Sequence, residues 1–193
     1  MEIIKETVAQ AAQAGDTVLF SDPVHQCHNV HNDYCWQIKG KKNTKTALSN
    51  SGRERLTIIG AVNAQTQKPT ILSTESNCDR YAMVAFLGEI RKDYPESISK
   101  TIYMFLDNAR YNHSNLVKEE AKKLNIKLLY LPPYSPNLNI IERLWKFMKK
   151  KVTANRFYKT FTKFTAAIID FFHNIGQYQA ELESLLTLNF EII

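Results

Sequence analysis

The stretch "TIYMFLDN", residues 101 to 108, decides how this chain reads: an almost unbroken apolar run that stops on Asp107 and Asn108. A run this short and this apolar fits a strand buried on both faces. Downstream, "HSNLVKEEAKKLN" has helical patterning, "IKLLYLPPYSP" is a strand stopped by proline, and a helix is expected from about Asn139 to Thr153. An aromatic helical stretch, "FTKFTAAIIDFFHNIG", follows. Upstream, Tyr81, Val84, Ala85, Leu87, Gly88 and Ile90 fall at helical spacing between Asp79 and Tyr94. Before that come four expected strands, "DTVLFSD" (16 to 22), "YCWQIKG" (34 to 40), "RLTIIGAVN" (55 to 63) and "KPTILSTES" (68 to 76), the last two joined as a hairpin. The basic, Gly/Ser/Asn-rich segment between the second and third reads as a loop.

Strands that can run antiparallel, followed by alternating helices and strands, make an α/β fold: a mixed sheet flanked by helices. A ribonuclease-H-like sheet is one fold of that kind, though the order alone does not single it out. At 193 residues the chain suits one domain with a sizeable core. Its 44% hydrophobic and 23% charged residues are ordinary for a globular protein. The apolar stretches fall short of the ~20 residues of a membrane span, and "MEIIKETVAQAAQAG" reads as a polar lead-in helix without a secretory core, so a cytoplasmic protein is expected. A net charge of +6 hints at an anionic partner.

Three acids stand out against this order. Asp22 is expected to end the first strand, Asp107 ends the buried one, and Glu142 lies in the first turn of the helix after "PPYSPNLN". Converging at one sheet edge, such carboxylates supply hard oxygen ligands for Mg²⁺, and two ions ~4 Å apart suit phosphodiester chemistry. Taken singly, each has a plainer reading: Asp22 as a turn start before Pro23, Asp107 with Asn108 as a polar strand stop, and Glu142 with Asn139 as a capping box.

Their joint pattern carries a resemblance. "FLDNARYNHS" followed by "LLYLPPYSPNLNIIERLWKFMKKKV" resembles the catalytic core of DDE transposases of the Tc/mariner superfamily, in the bacterial insertion-sequence branch called six-thirty. The matching positions are Asp107, Asn108, His113, Pro132, Tyr134, Ser135, Pro136, Asn139, Glu142 and Trp145, with 34 residues between the two acids. The likeness reaches back to Asp22, Val24, His25, His28 and Asn29, and to Trp36 and Gly40; Pro23 and Gln26 depart from the pattern. It covers roughly residues 16 to 155.

This resemblance implies a ribonuclease-H-like catalytic domain over residues 16 to 155, after a lead-in helix (1 to 15) and before a helical extension (156 to 193) packed on it. It implies that Asp22, Asp107 and Glu142 are catalytic and hold Mg²⁺ or Mn²⁺, two ions by analogy, and that the partner is double-stranded DNA, cut at transposon ends and joined to a target, with a TA dinucleotide preferred. His25, His28, Asn108, His113 and Asn139 become auxiliary candidates. Arg143, Lys146, Lys149 and Lys150, on the helix bearing Glu142, become candidates for contacting phosphates, as do Lys39, Lys41, Lys42 and Lys45 in the loop. Trp36 and Trp145 are expected to pack in the core. A homodimer is a further expected partner state. Such transposases also carry helix-turn-helix modules, for which residues 1 to 15 leave no room; that suggests a separate N-terminal polypeptide, a split reading frame, a catalytic domain taken from a longer protein, or a truncated relic. The alternatives are a relic that only binds DNA, or a ribonuclease-H-like nuclease of another pathway. A zinc knuckle built from His25, Cys27, His28, His31 and Cys35 is disfavoured, because their spacing lacks a CxxC anchor.

Overall fold

The computed structural model describes residues 2–34, 36, 38–40, 48–95, 100–132 and 138–188. Lys41, Lys42 and Lys45, Cys35, and the motif residues Tyr134, Ser135 and Pro136 lie outside the described residues. Five strands form one sheet in the order β3-β2-β1-β4-β5. They are β1 (Thr17–Cys27), β2 (Arg55–Asn63), β3 (Pro69–Thr74), β4 (Ile102–Leu106) and β5 (Ile126–Tyr130). β1, β2 and β3 pair antiparallel, while β4 runs parallel to β1 and β5 parallel to β4. The sheet is therefore mixed, as the element order requires.

Alternation along the strands divides the core in two. Val18, Phe20 and Val24 of β1, with Ile58 and Val62 of β2 and Phe105 of β4, pack against α1 (Glu2–Ala14), α4 (Ile141–Met148) and α5 (Phe161–His173). Leu19, Ile59, Ala61, Met104 and Leu106 face the other way, onto α2 (Arg80–Asp93) and α3 (Asn115–Lys123). α4 joins the first layer because Ile141, Leu144, Trp145 and Met148 recur at i, i+3, i+4 and i+7, a single buried stripe. Beyond α5, α6 (Gln179–Leu185) adds Leu182 to the same core. Among the described residues, no helix is long and apolar enough to cross a membrane.

Local chemistry sets the boundaries. The Asp79 side chain accepts from the N–H groups of Tyr81 and Ala82 and starts α2, and Ser114 starts α3 by accepting from Val117 N. Asn63 Oδ1 accepts from Gln65 N and Thr66 N at 2.8 and 2.9 Å, closing the β2–β3 hairpin.

Five expectations are corrected. The described residues of 34–40 form no strand: Tyr34, Trp36 and Ile38 are exposed, Trp36 fully so at 100%, so Trp36 is not a core residue. Their alternating pattern has no neighbouring strand to pair with among the described residues, and pattern without a partner makes no sheet. β1 does not stop at Asp22 but continues to Cys27, with Asp22 paired to Gly60 and Pro23 to Ile59. Proline is tolerated there because β1 pairs with β4 only over Thr17–Phe20, so Pro23 has a strand neighbour on one side alone. Finally, the helix expected over 139–153 is α4 followed by a π turn, Lys149–Thr153, whose widened bond runs from Ala154 N to Lys149 O at 2.8 Å. At its start Asn139 does not cap α4: the N-cap is Ile140, without a side-chain cap bond.

Candidate active site

Register brings the acids together. Phe20 of β1 lies beside Phe105 of β4, so Asp22 and Asp107, each two residues further on, project from adjacent chain segments onto the same face. That face is the one α4 covers, and Glu142 sits in the first turn of α4. All three carboxylates are half-buried.

Their proximity is electrostatic as well as topological. The Asp22 carboxyl is pushed up from 3.8 to about 8, first by burial and then by the negative charges of Glu142 and Asp107, with the Trp145 indole N–H acting in the opposite direction. The three acids thus share one neighbourhood, in which a cation would relieve both their repulsion and the desolvation of Asp22. In this side-chain arrangement no three carboxylate, imidazole or thiol groups among the described residues form a ready-made cage. The donors are nonetheless all oxygen, the chemistry Mg²⁺ and Mn²⁺ prefer.

Several contacts fix these acids in place. Asp107 Oδ1 accepts from Asn112 Nδ2 at 2.9 Å and from Ala109 N at 3.2 Å, and Asn112 is buried at 2% exposure. Tyr130 donates its hydroxyl to Asn112 O at 3.0 Å, tying this corner to the end of β5. Asn139 reaches across 118 residues of chain to donate to Ser21 O at 3.1 Å, which latches the start of α4 next to Asp22. That bond replaces the capping role its spacing suggested. Ser21 Oγ in turn donates to Gly60 O at 2.8 Å.

The auxiliary candidates separate on inspection. Asn108 donates to Leu131 O at 2.5 Å, joining the ends of β4 and β5. His113 stacks on Tyr130, with ring centroids 4.1 Å apart. His25 is not beside the acids: three residues from Asp22, it points to the opposite face and bonds Thr57 Oγ1 at 3.0 Å. Burial and then Arg55 lower its pKa. His28 is also drawn elsewhere, with Nδ1 3.0 Å from Glu54 Oε2, Nε2 2.8 Å from Tyr158 O, and its ring against Phe164. It ties the end of β1 to the segment before α5, a structural duty.

Of the basic candidates, Arg143 donates to the carbonyls of Leu185 and Thr187 at 3.2 and 2.7 Å, fastening the end of α6. Lys146 and Lys150 are exposed, and Lys149 is half-buried. One turn separates Glu142 from Lys146, so cation and acid share a helix face. Lys151 is engaged with Glu181 at 3.1 Å and with the rings of Phe147 and Tyr178.

Sequence reasoning missed Asn112, although it lies one residue before the singled-out His113. It also missed Gly60, which looks like any strand residue until the indole of Trp145 is seen against it. Cys78 and Tyr111 carried no signal: burial raises both their pKa values, with Asp107 and Asp22 adding to the effect.

Comparison with known proteins gives a consistent result. A family model described as DDE superfamily endonuclease matches residues 17–165. An uncharacterized protein of Sinorhizobium fredii, y4pE/y4sA, is 33% identical over 84 residues, 44% of this chain and 58% of that protein. The insertion element IS630 uncharacterized 39 kDa protein of Shigella sonnei is 27% identical over 124 residues, 62% of this chain and 34% of that protein. The chain therefore spans less than two thirds of the length of the curated relatives it matches. The pre-cleavage Mos1 transpososome superposes with a TM-score of 0.67 at 12% identity, covering 98% of this chain and 61% of that one. The Mos1 transposase catalytic domain with raltegravir and Mg gives 0.60 at 10% identity, covering 98% and 92%. At these identities the likeness is one of fold, a ribonuclease-H-like sheet with its flanking helices.

Proposed function

The chain belongs to the DDE superfamily endonucleases as a Tc/mariner-type transposase domain, and from that premise we propose that Asp22, Asp107 and Glu142 form a divalent-cation site that cleaves DNA at transposon ends and joins it to a target. The observation that carries this reading is the shared electrostatics: Glu142 and Asp107 both hold back the ionisation of Asp22. One or two Mg²⁺ or Mn²⁺ ions bound there would supply charge neutralisation at a phosphodiester and activation of an attacking oxygen. The remaining work falls to the chain. Asn112 and Ala109 N occupy Asp107 Oδ1 and leave Oδ2 for a ligand. Asn139 keeps the first turn of α4, and with it Glu142, against β1. Lys146 and Lys150 are candidates to meet the phosphate backbone beside the cut.

Double-stranded DNA is the proposed partner, in keeping with the Mos1 transposase, solved as a paired-end complex with left transposon end. Residues 16–155 are the proposed catalytic domain, with 1–15 a lead-in and 156–193 an extension. A homodimer and a separate helix-turn-helix polypeptide belong to the same proposal. The test is nicking and strand transfer with Mg²⁺ on duplex oligonucleotides carrying the inverted repeats that flank the coding segment. Activity should fall at least ~10³-fold in Asp107→Ala and in Glu142→Ala. Variants that cut as fast as the parent would sink the assignment.

A further inference from the structure

Trp145 is almost fully buried, at 1% exposure, yet its indole Nε1 has no acceptor at full hydrogen-bond geometry. Its ring lies against Gly60: a Cβ built there would stand 2.4 Å from Cη2 and 2.8 Å from Cζ2 of the indole. Gly60 is the residue of β2 paired with Asp22. Cζ2 adjoins the nitrogen-bearing edge of the indole, so the N–H edge runs along the Asp22–Gly60 pair, and the charged form of Asp22 is the one this N–H favours. Any side chain larger than hydrogen at position 60 would push the ring away.

We propose that Trp145 is a positioning residue: its indole N–H holds the Asp22 carboxylate turned towards Asp107 and Glu142, and Gly60 is a glycine because the indole occupies the space of its side chain. The inference rests on the reading of the three acids as one cation site. An unpaired buried donor gains most from a charged acceptor, and a donor to one carboxylate oxygen fixes where the other oxygen points. Trp145 therefore prepares Asp22 as a ligand without touching the substrate.

The chain has only two tryptophans, and Trp36 is fully exposed, so ¹H–¹⁵N spectra carry two indole signals that Trp36→Phe assigns. Compared at pH 9, where the wild-type Asp22 carboxyl is ionised, Asp22→Asn should move the Trp145 indole proton upfield and leave that of Trp36 in place. An unchanged Trp145 signal overturns the inference. Trp145→Phe keeps a ring against Gly60 and removes only the N–H; by electron paramagnetic resonance its Mn²⁺ affinity should fall about tenfold. A merely structural tryptophan would lower thermal stability and leave Mn²⁺ affinity unmoved, which also overturns it. Neither readout needs DNA. A wild-type chain that cuts no transposon end but shows both effects would overturn the transposase reading and support the tryptophan's role.

Discussion

Asp22 makes the metal-free fold pay a pH-dependent penalty, and Asp22→Asn should remove it. The folded chain holds this carboxyl protonated to about pH 8, whereas in the unfolded chain it ionises near its ordinary value of 3.8. Between those values the folded state binds the extra proton, so wild-type stability falls as pH rises from about 4 to 8 and levels off above. At ~1.4 kcal/mol per pH decade the full gap is worth at most about 6 kcal/mol. Partial solvent access at a half-buried carboxylate screens this to roughly 2–4 kcal/mol. The assay is urea unfolding of both proteins in EDTA, from pH 4 to pH 9. The variant's stability relative to wild type should grow by that amount between pH 4 and pH 8 and then stay constant; any offset from the new amide is the same at every pH. A difference that is flat across the range, or that shrinks as pH rises, would refute the placement of Asp22 among the other two acids.

Two further outcomes follow from packing. Gly60→Ala forces its new methyl into the indole of Trp145 and towards Ile141 Cδ1, which a Cβ would meet at 3.2 Å; it should cost about 1–3 kcal/mol in chemical denaturation, and a neutral result would mean the ring moves freely. His28→Phe keeps the contact with Phe164 but loses the bonds to Glu54 and Tyr158 O; it should cost about 1–3 kcal/mol and speed tryptic cleavage near residues 156–159, whereas unchanged proteolysis would deny it a tethering role.

How much of this was legible depends on the range over which each feature is determined. β2 and β4 announce themselves through continuous apolar runs, because a strand buried on both faces has little use for polar side chains. α2 and α3 are marked by the caps Asp79 and Ser114, a code contained within four residues. Residues 34–40 misled because alternation describes only what a strand offers to a partner, and Tyr34, Trp36 and Ile38 face solvent. Asn139 misled in the opposite direction: its spacing to Glu142 satisfies a local cap, while its actual acceptor, Ser21 O, lies over a hundred residues away. His25 and His28 were grouped with Asp22 by the motif that follows the first acid, but strand alternation and the course of the chain after Cys27 carry them elsewhere. Asp22, Asp107 and Glu142 stood out by their places at the ends of expected elements, and what joined them was a long motif rather than any local physical rule.

The position of Asp22 shows why a strand end was the wrong feature to look for. β1 remains paired with β2 from Leu19 to Cys27 but loses β4 after Phe20. Antiparallel pairing therefore holds the Asp22 backbone rigid on one side, while the flank towards β4 opens just where that strand runs out into Asp107. A carboxylate on a strand end would gain access but lose rigidity; one paired on both sides would be rigid but closed in. Two residues past the last parallel pair, Asp22 has a backbone fixed by β2, an open flank, a second acid on the neighbouring segment and the first turn of α4 on the same face. The end of the parallel pairing, not the end of the strand, is what opens Asp22 towards its neighbours, and pairing is a property that only the assembled sheet reveals.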